Sequence, residues 1–201
     1  MIDVNGTLVS KGKGGVYGEK MLGEYRVWDP YRSKLAALWY LEKSDWLKSS
    51  DVVLYLGAAN GTTVSHVADY TESVYAVEFA PRPMQDLLEV SKRRKNIVPI
   101  YSDATQPQKY AALLEPADLI YQDVAQPNQA EIAVKHIDFL KTDGRYILML
   151  KTRSVDIRKS PQEVFADSCR ELEAGGYFVE KSIWLNPYHQ DHAAIILRKA
   201  D

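Results

Sequence analysis

The chain predicts an α/β fold, with a largely parallel sheet covered by helices on both faces. Three observations carry that prediction. Near-continuous apolar runs recur at VVLYL (52–56), SVYAVE (73–78), NIVPIY (96–101), ADLIYQ (117–122) and RYILML (145–150). Helical segments fall between them, at 61–69, 82–92, 107–114 and 127–140. A polar or otherwise special residue follows each run: Gly57, Glu78, Asp103, Asp123 and Lys151, spaced 20 to 28 positions apart. Strands that stay apolar without alternation are buried on both faces, as in a parallel sheet.

The elements can be justified in order. Residues 1–28 read as a small β unit with glycine-rich turns at Gly12, Gly14, Gly15 and Gly18. Asp29-Pro30 reads as an N-cap with proline at the first helical position, opening a helix over 30–43. Leu35, Leu38, Trp39 and Leu41 are its apolar positions. The sheet domain is placed at 29–201. A helix over 161–174 ends at Gly175-Gly176, a suitable C-cap. YFVEKSIW and HAAIILR then complete seven strands. They lie close in sequence, so an antiparallel pair at one sheet edge is expected.

Composition narrows the function classes. With 201 residues the chain is long enough for one good core and a small appendage. No apolar run approaches the roughly 18 residues of a membrane span, and the first fifteen residues lack the apolar stretch of a signal peptide. No membrane partner is expected. The one cysteine, Cys169, excludes an internal disulfide and a cysteine-cluster metal site, so no metal centre is expected. Cysteine usage suggests a reducing, intracellular and cytoplasmic setting. A net charge of −2 argues against binding long nucleic acid through the overall field. Local basic runs remain: Lys11, Lys13, Lys20, Arg26, Arg32 and Lys34 early on, and Lys92 to Lys95 at the end of a helix. The second run reads as cations near a helix C-terminus.

The most pointed stretch is Val52 to Glu78. An apolar run ends in a glycine-bearing turn, and the next run ends in an acid 21 positions after Gly57. That is the layout of a nucleoside-binding βαβ unit. The turn lets backbone approach a ligand, and the acid can accept hydrogen bonds from a ribose diol. The turn is G-x-x-x-G (Gly57, Gly61), not the G-x-G-x-x-G that grips a pyrophosphate. A ligand with a ribose and no phosphate, such as S-adenosylmethionine, therefore fits better than NAD.

In open α/β sheets ligands bind beyond the carboxyl ends of the strands, so the five residues after the runs should share one cleft. Each also has a plainer reading. Glu78 could be a solvated turn acid. Asp103 could cap a helix, or sit at an adenine edge with the Ala104 N–H. Phe79 could be core, or could stack on a base. Thr62 and Thr63 read as first-turn helix residues whose N–H groups also face the ligand. His66 reads as a packed or surface histidine. Lys151 could snorkel to solvent, or be a desolvated amine with base character. Asp123 could orient that amine, or contact the methionyl amino group of the ligand.

With these residues in view, the chain resembles fibrillarin and its archaeal fibrillarin-like relatives. The matching strings are YRVWDPYRSKLAA (25–37), LGAANGTTVSHVAD (56–69), VYAVEFAPR (74–82), DLIYQDVAQPNQAEI (118–132), KTRSVD (151–156) and PYHQDHA (187–193). The resemblance implies a Rossmann-like, seven-stranded methyltransferase sheet with a small N-terminal β domain. It implies a SAM-dependent RNA ribose 2′-O-methyltransferase acting on rRNA and tRNA. It implies cofactor contacts by Gly57, Thr62, Thr63, Glu78, Phe79, Asp103, Ala104, Asp123, Val124, Ala125 and Gln126. The Lys-Asp-Lys pattern of ribose 2′-O-methyltransferases carries over to Lys34, Asp123 and Lys151. His192 stands where many such enzymes have a glutamate, which makes it the fourth catalytic candidate. The implied partners are a box C/D guide RNA with its target RNA, a Nop-family scaffold protein and a kink-turn-binding ribosomal-type protein. The chain lacks the Gly/Arg-rich tail of eukaryotic members, so the archaeal type matches better. The alternatives are an NAD-type oxidoreductase, a non-catalytic scaffold of the same fold and a protein glutamine methyltransferase.

Overall fold

The structure is a computed structural model that describes residues 1–12 and 14–200. Lys13, counted in the early basic run, lies outside the described residues. The chain opens with β1 (Ile2–Val4), β2 (Thr7–Ser10), β3 (Met21–Leu22) and β4 (Tyr25–Val27). They form an antiparallel four-stranded sheet in the order β1-β2-β4-β3. This is the small β unit expected before residue 29.

The main sheet follows. In chain order its elements are α1 (Lys34–Glu42), β5 (Val52–Leu56), α2 (Thr62–Ala68), β6 (Ser73–Glu78), α3 (Pro81–Arg93), β7 (Ile97–Tyr101), β8 (Ala117–Gln122), α4 (Gln129–Lys135), β9 (Leu140–Lys151), α5 (Thr152–Val155), α6 (Pro161–Ala174), β10 (Tyr177–Trp184) and β11 (His192–Lys199). The strand order is β10-β11-β9-β8-β5-β6-β7. β5 to β9 are parallel, and β11 runs antiparallel to both β9 and β10. The expected antiparallel edge pair is present. From β5 the chain moves outward to β6 and β7, then returns to lay β8 on β5's other side. That reversal between β5 and β8 is the topological switch point, where such sheets open a crevice.

Two apolar layers enclose the sheet. Val53 and Tyr55 pack to one side with Leu35, Leu38, Val64, Val67 and Leu87. Leu54 and Leu56 pack to the other with Ile120, Ile132, Leu148 and Leu172. Adjacent residues point to opposite faces, so each strand must be apolar throughout. β7 is an edge strand and contains Pro99, which has no N–H to give a ladder. The outer strand β10 carries an irregularity between Val179 and Lys181.

Three expectations need correction. The first helix starts at Lys34, not at residue 30. Asp29 Oδ1 accepts instead from the Tyr31 N–H at 2.8 Å, and the Arg32 N–H bonds Asp29 O at 3.2 Å, closing a turn. Ser33 is the true cap, its Oγ accepting from Ala36 N at 3.4 Å. Second, 107–114 forms two short 3₁₀ turns rather than a helix. Third, the segment expected as a helix over 127–140 is helical only to Lys135, and a 3₁₀ turn then leads into β9. β9 starts at Leu140 and is twelve residues long, well before the apolar run at 145.

Candidate active site

The crevice at the switch point holds a cavity of about 310 Å³. Its wall includes Gly57, Glu78, Phe79, Ala104, Asp123, Val124, Ala125, Gln126 and Lys151, all singled out from sequence. Ala59, Val77 and Ser102 also line it. Ala59 had one trace in the sequence, its place inside the turn between Gly57 and Gly61; in the structure it adopts φ 47°, unusual for a residue with a Cβ.

Gly57 is required where it stands. It adopts φ 81°, and a Cβ there would lie 2.6 Å from Asp123 O. The turns after β5 and β8 touch, with the Asp123 N–H bonding Leu56 O at 2.9 Å. A side chain at 57 would push them apart.

Glu78 ends β6 and is 6% exposed. Its two carboxylate oxygens accept one backbone N–H each, from Ala59 at 2.8 Å and Ala80 at 2.7 Å. Those bonds fix the carboxylate and leave a lone pair on each oxygen, the arrangement that suits a cis-diol. Phe79, next along, is 57% exposed, with its ring uncovered at the cavity. Gln126 Oε1 is buried in the wall with no hydrogen-bond partner among the described residues. A ribose-bearing, aromatic ligand with polar groups fits these features.

Asp103 accepts from the Thr105 N–H at 2.8 Å and from Gln126 Nε2 at 3.4 Å, behind the wall formed by Ser102 and Ala104. Burial pushes its carboxyl pKa up, but the Thr105 amide and hydroxyl outweigh this and hold it below the usual value. Thr62 and Thr63 are placed differently from the rest. They begin α2, but their side chains turn away from the cavity. Thr62 Oγ1 donates to Asn60 Oδ1 at 3.0 Å, and Thr63 Oγ1 donates to Ser33 Oγ at 3.1 Å. Thr63 thereby ties the glycine turn to the cap of α1.

At the cavity mouth Asp123 lies between two lysines. Lys34 Nζ is 3.1 Å from its carboxylate, and Lys151 Nζ is 2.9 Å from Oδ1. Lys151 Nζ also donates to Asp123 O at 3.3 Å. The three side chains are only 15–18% exposed. Burial alone would raise the Asp123 pKa, but Lys34 and then Lys151 overcome it and hold the carboxyl below its usual range. Lys34 is the first residue of α1, where the helix dipole disfavours a cation. Asp123 offsets that placement.

His192 begins β11 directly opposite Lys151 in the strand register. Burial, with further help from Lys34, pushes its pKa below the usual histidine value, so the ring is neutral at pH 7. Its Nδ1 lies 2.6 Å from Gln190 O, which must accept, so Nδ1 carries the proton and Nε2 keeps a lone pair. His189 stacks edge-on against it at 5.9 Å and donates from Nε2 to Pro30 O at 2.8 Å. The loop before β11 thus holds the turn that delivers Lys34. Sequence reading singled out neither His189 nor Ser33.

His66, read as packed or surface, is packed. It stacks on Trp28 at 4.9 Å and its Nδ1 bonds Ser10 Oγ at 2.8 Å. Arg94, read with the cations at a helix end, is buried and pairs with Asp69 at 2.8 Å.

Comparison with known proteins agrees with this geometry. The fibrillarin family profile matches residues 5–201. A fibrillarin-like rRNA/tRNA 2′-O-methyltransferase of Methanoculleus marisnigri is 62% identical over 194 residues, covering 96% of each chain. One from Methanosarcina mazei is 51% identical, covering 91% of this chain and 85% of its own. Among solved structures, a fibrillarin of a fibrillarin/Nop5p complex superposes with a TM-score of 0.90 at 45% identity, covering 96% of this chain and 94% of its own. The Aeropyrum pernix fibrillarin in complex with natively bound S-adenosyl-L-methionine superposes at 0.84 with 42% identity, covering 95% and 88%. The chain belongs to the fibrillarin family.

Proposed function

We propose that the chain is an S-adenosylmethionine-dependent RNA ribose 2′-O-methyltransferase of rRNA and tRNA, the catalytic subunit of a box C/D guide ribonucleoprotein. The observation that carries it is the Lys34–Asp123–Lys151 cluster at the mouth of a cavity whose far wall presents Glu78. Two ammonium groups and one carboxylate leave a net positive charge beside the ligand, suited to a hydroxyl flanked by phosphates.

Bound S-adenosylmethionine supplies a methyl group on a good leaving group. Glu78 would hold the ribose diol, Phe79 would stack on the adenine, and Asp103 and Ala104 would meet the adenine edge. Gly57 would let backbone approach, and the Asp123–Gln126 turn would border the methionyl part. Thr62 and Thr63 would contribute through the turn rather than through their side chains. Chemistry then depends on orienting the 2′-oxygen and removing its proton. Lys151, held by Asp123, would donate to that oxygen and stabilise its developing charge. Lys34 would hold the neighbouring phosphate or share that charge. His192, neutral and with Nε2 free, would accept the proton. The 2′-oxygen to carbon bond forms as the carbon–sulfur bond breaks.

Targeting would be delegated. A Nop-family protein, a kink-turn-binding ribosomal-type protein and the guide RNA would present the target. The solved fibrillarin/Nop5p complex supports the first of these. The decisive experiment is radiolabelled methyl transfer to a guided target RNA, with and without the partner proteins. Label should enter the target nucleotide and be absent when that nucleotide is 2′-deoxy. Label in a deoxy target, or in protein alone, would overturn the proposal.

A further inference from the structure

Lys151 ends β9, and on one side it has outrun its neighbour. β8 stops at Gln122, which pairs with Leu148. Lys151 lies three residues further on, so no β8 residue remains to bond its backbone. On the other side β11 continues, with His192 opposite Lys151 and the Thr152 N–H bonding Asp191 O at 3.2 Å. In a strand the N–H and C=O of one residue point the same way. Those of Lys151 point toward the missing stretch of β8.

Gln129 fills that gap. Its Oε1 accepts from the Lys151 N–H at 3.0 Å, and its Nε2 donates to Lys151 O at 3.2 Å. The side-chain amide reproduces what a neighbouring strand residue would offer. Gln129 is itself fully buried at the start of α4. Its own carbonyl accepts from Gln122 Nε2 at 2.8 Å, and Gln122 Oε1 accepts from the Tyr146 hydroxyl. Gln122 and Tyr146 are also 0% exposed. The relay therefore ends on the lysine backbone, and its members sit on β8, α4 and β9.

We propose that Gln129 is a positioning residue that fixes the backbone of Lys151, and so sets where its ammonium meets the RNA hydroxyl. The inference rests on the methyltransferase reading above. Without Gln129 the backbone of Lys151 would have no partner of its own among the described residues, and the strand end would be held to β11 only through its neighbour Thr152. Two part-buried backbone groups would lose their partners, and the end of the strand would be free to shift. An error of about 1 Å at a reacting group can cost on the order of a hundredfold in rate. The distant ligand contacts at Glu78 would not move.

The test uses the assembled guide complex and its target RNA. Wild-type transfer is measured first, since its absence would sink the methyltransferase reading, and this inference with it, before any Gln129 variant is read. Gln129→Met keeps the length and removes both bonds. We expect kcat to fall by about tenfold or more, with KM for RNA and Kd for S-adenosylmethionine within twofold of wild type. Gln129→Glu keeps the acceptor for the Lys151 N–H and loses the donor, so its kcat should lie between. The discriminating step is the Lys151→Ala background, read by single-turnover transfer. A residue acting through the Lys151 side chain has nothing left to position there, so Gln129→Met should cost less than twofold more. An equal loss in both backgrounds would show a general structural role and overturn the proposal. Wild-type kcat in Gln129→Met would overturn it directly. Should neither Gln129 variant fold, the residue is architectural and the proposal fails.

Discussion

Two buried clusters in this chain share one charge arrangement and differ in everything else. In the first, Asp123 lies between Lys34 and Lys151 at the cavity mouth. In the second, Asp69 lies between Arg26 and Arg94 where the small β sheet meets α2. The arginine cluster is closed to solvent, and of its guanidinium nitrogens Arg94 Nη1 is buried without a partner among the described residues. Arg26 bonds Glu19 and Asp69 at 2.5 Å and reaches Ser65 through both its carbonyl and its hydroxyl. Ser10 donates to Asp69 and accepts from His66. Its ion-paired side chains are 1–9% exposed. The lysine cluster is open: each ammonium bonds only Asp123 among the described residues and so keeps donors to spare. Guanidinium groups lock a planar geometry, whereas ammonium groups can turn to a new partner. One cluster uses its donors to hold the small sheet against α2 and the end of α3, and the other holds donors ready for a substrate.

This contrast can be broken from either side. The largest effect is expected from Asp69→Ala, which strands buried Arg94 and leaves Arg26 with Glu19 as its one carboxylate. It should lower stability by about 3–5 kcal/mol, read by urea denaturation. A loss below 1 kcal/mol would mean the cluster is not a clamp. Next is Lys151→Ala, which should slow methyl transfer by about 10²–10³-fold, with ligand affinity and melting temperature near wild type. Guided RNA methylated at the normal rate would remove Lys151 from the chemistry. Glu78→Gln should have the opposite profile. An amide cannot accept from both the Ala59 and Ala80 N–H groups and also hold a diol, so affinity for S-adenosylmethionine should drop by about tenfold or more, as seen by calorimetry.

The last effect, of a size with the loss at Glu78, is the response of the closed cluster to acid. Folded His66 is kept neutral by burial and then by Arg26, its pKa pushed down to about 2 from an ordinary 6.5. Below pH 6.5 the unfolded chain therefore binds the extra proton. The stabilisation is full above that pH and is lost as pH falls, by about 1.4 kcal/mol per unit. Between pH 6.5 and 5 this amounts to about 2 kcal/mol. His136, pushed down to about 4, adds a loss of its own. The difference between wild type and His66→Asn isolates the first histidine, and parallel stability-against-pH curves would refute it.

The comparison also shows what a sequence can disclose. The lysine cluster was legible because two of its members end strands, where the chain order of a parallel sheet gathers residues into one crevice. Lys34 lies outside that logic and came only from family resemblance. The arginine cluster was hidden. Arg26 stood in a run of surface-type cations, and Arg94 stood among helix-end cations, yet both are buried where the small sheet packs on α2 and α3, which no local pattern encodes. Strands were found because both their faces are apolar. Helix starts were less secure: Asp29-Pro30 has the chemistry of a cap and forms a turn, because Ser33, four residues on, bonds the helix instead. Thr62 and Thr63 were read as first-turn residues and begin α2, but the use of their hydroxyls on Asn60 and on the Ser33 cap had no signal in the sequence. Gln129 could not be found at all, because its role depends on where β8 happens to stop.

The edges of the main sheet carry one further consequence. Pro99 deprives β7 of a donor, and β10 is irregular beside the charged Glu180 and Lys181. Each edge is a poor template for another strand. Recognition by β-strand addition, which needs an open ladder, is therefore disfavoured on both flanks. A protein docking on either flank of this sheet would have to grip side chains, so single substitutions on such a contact surface should tune the grip without disturbing the sheet behind it.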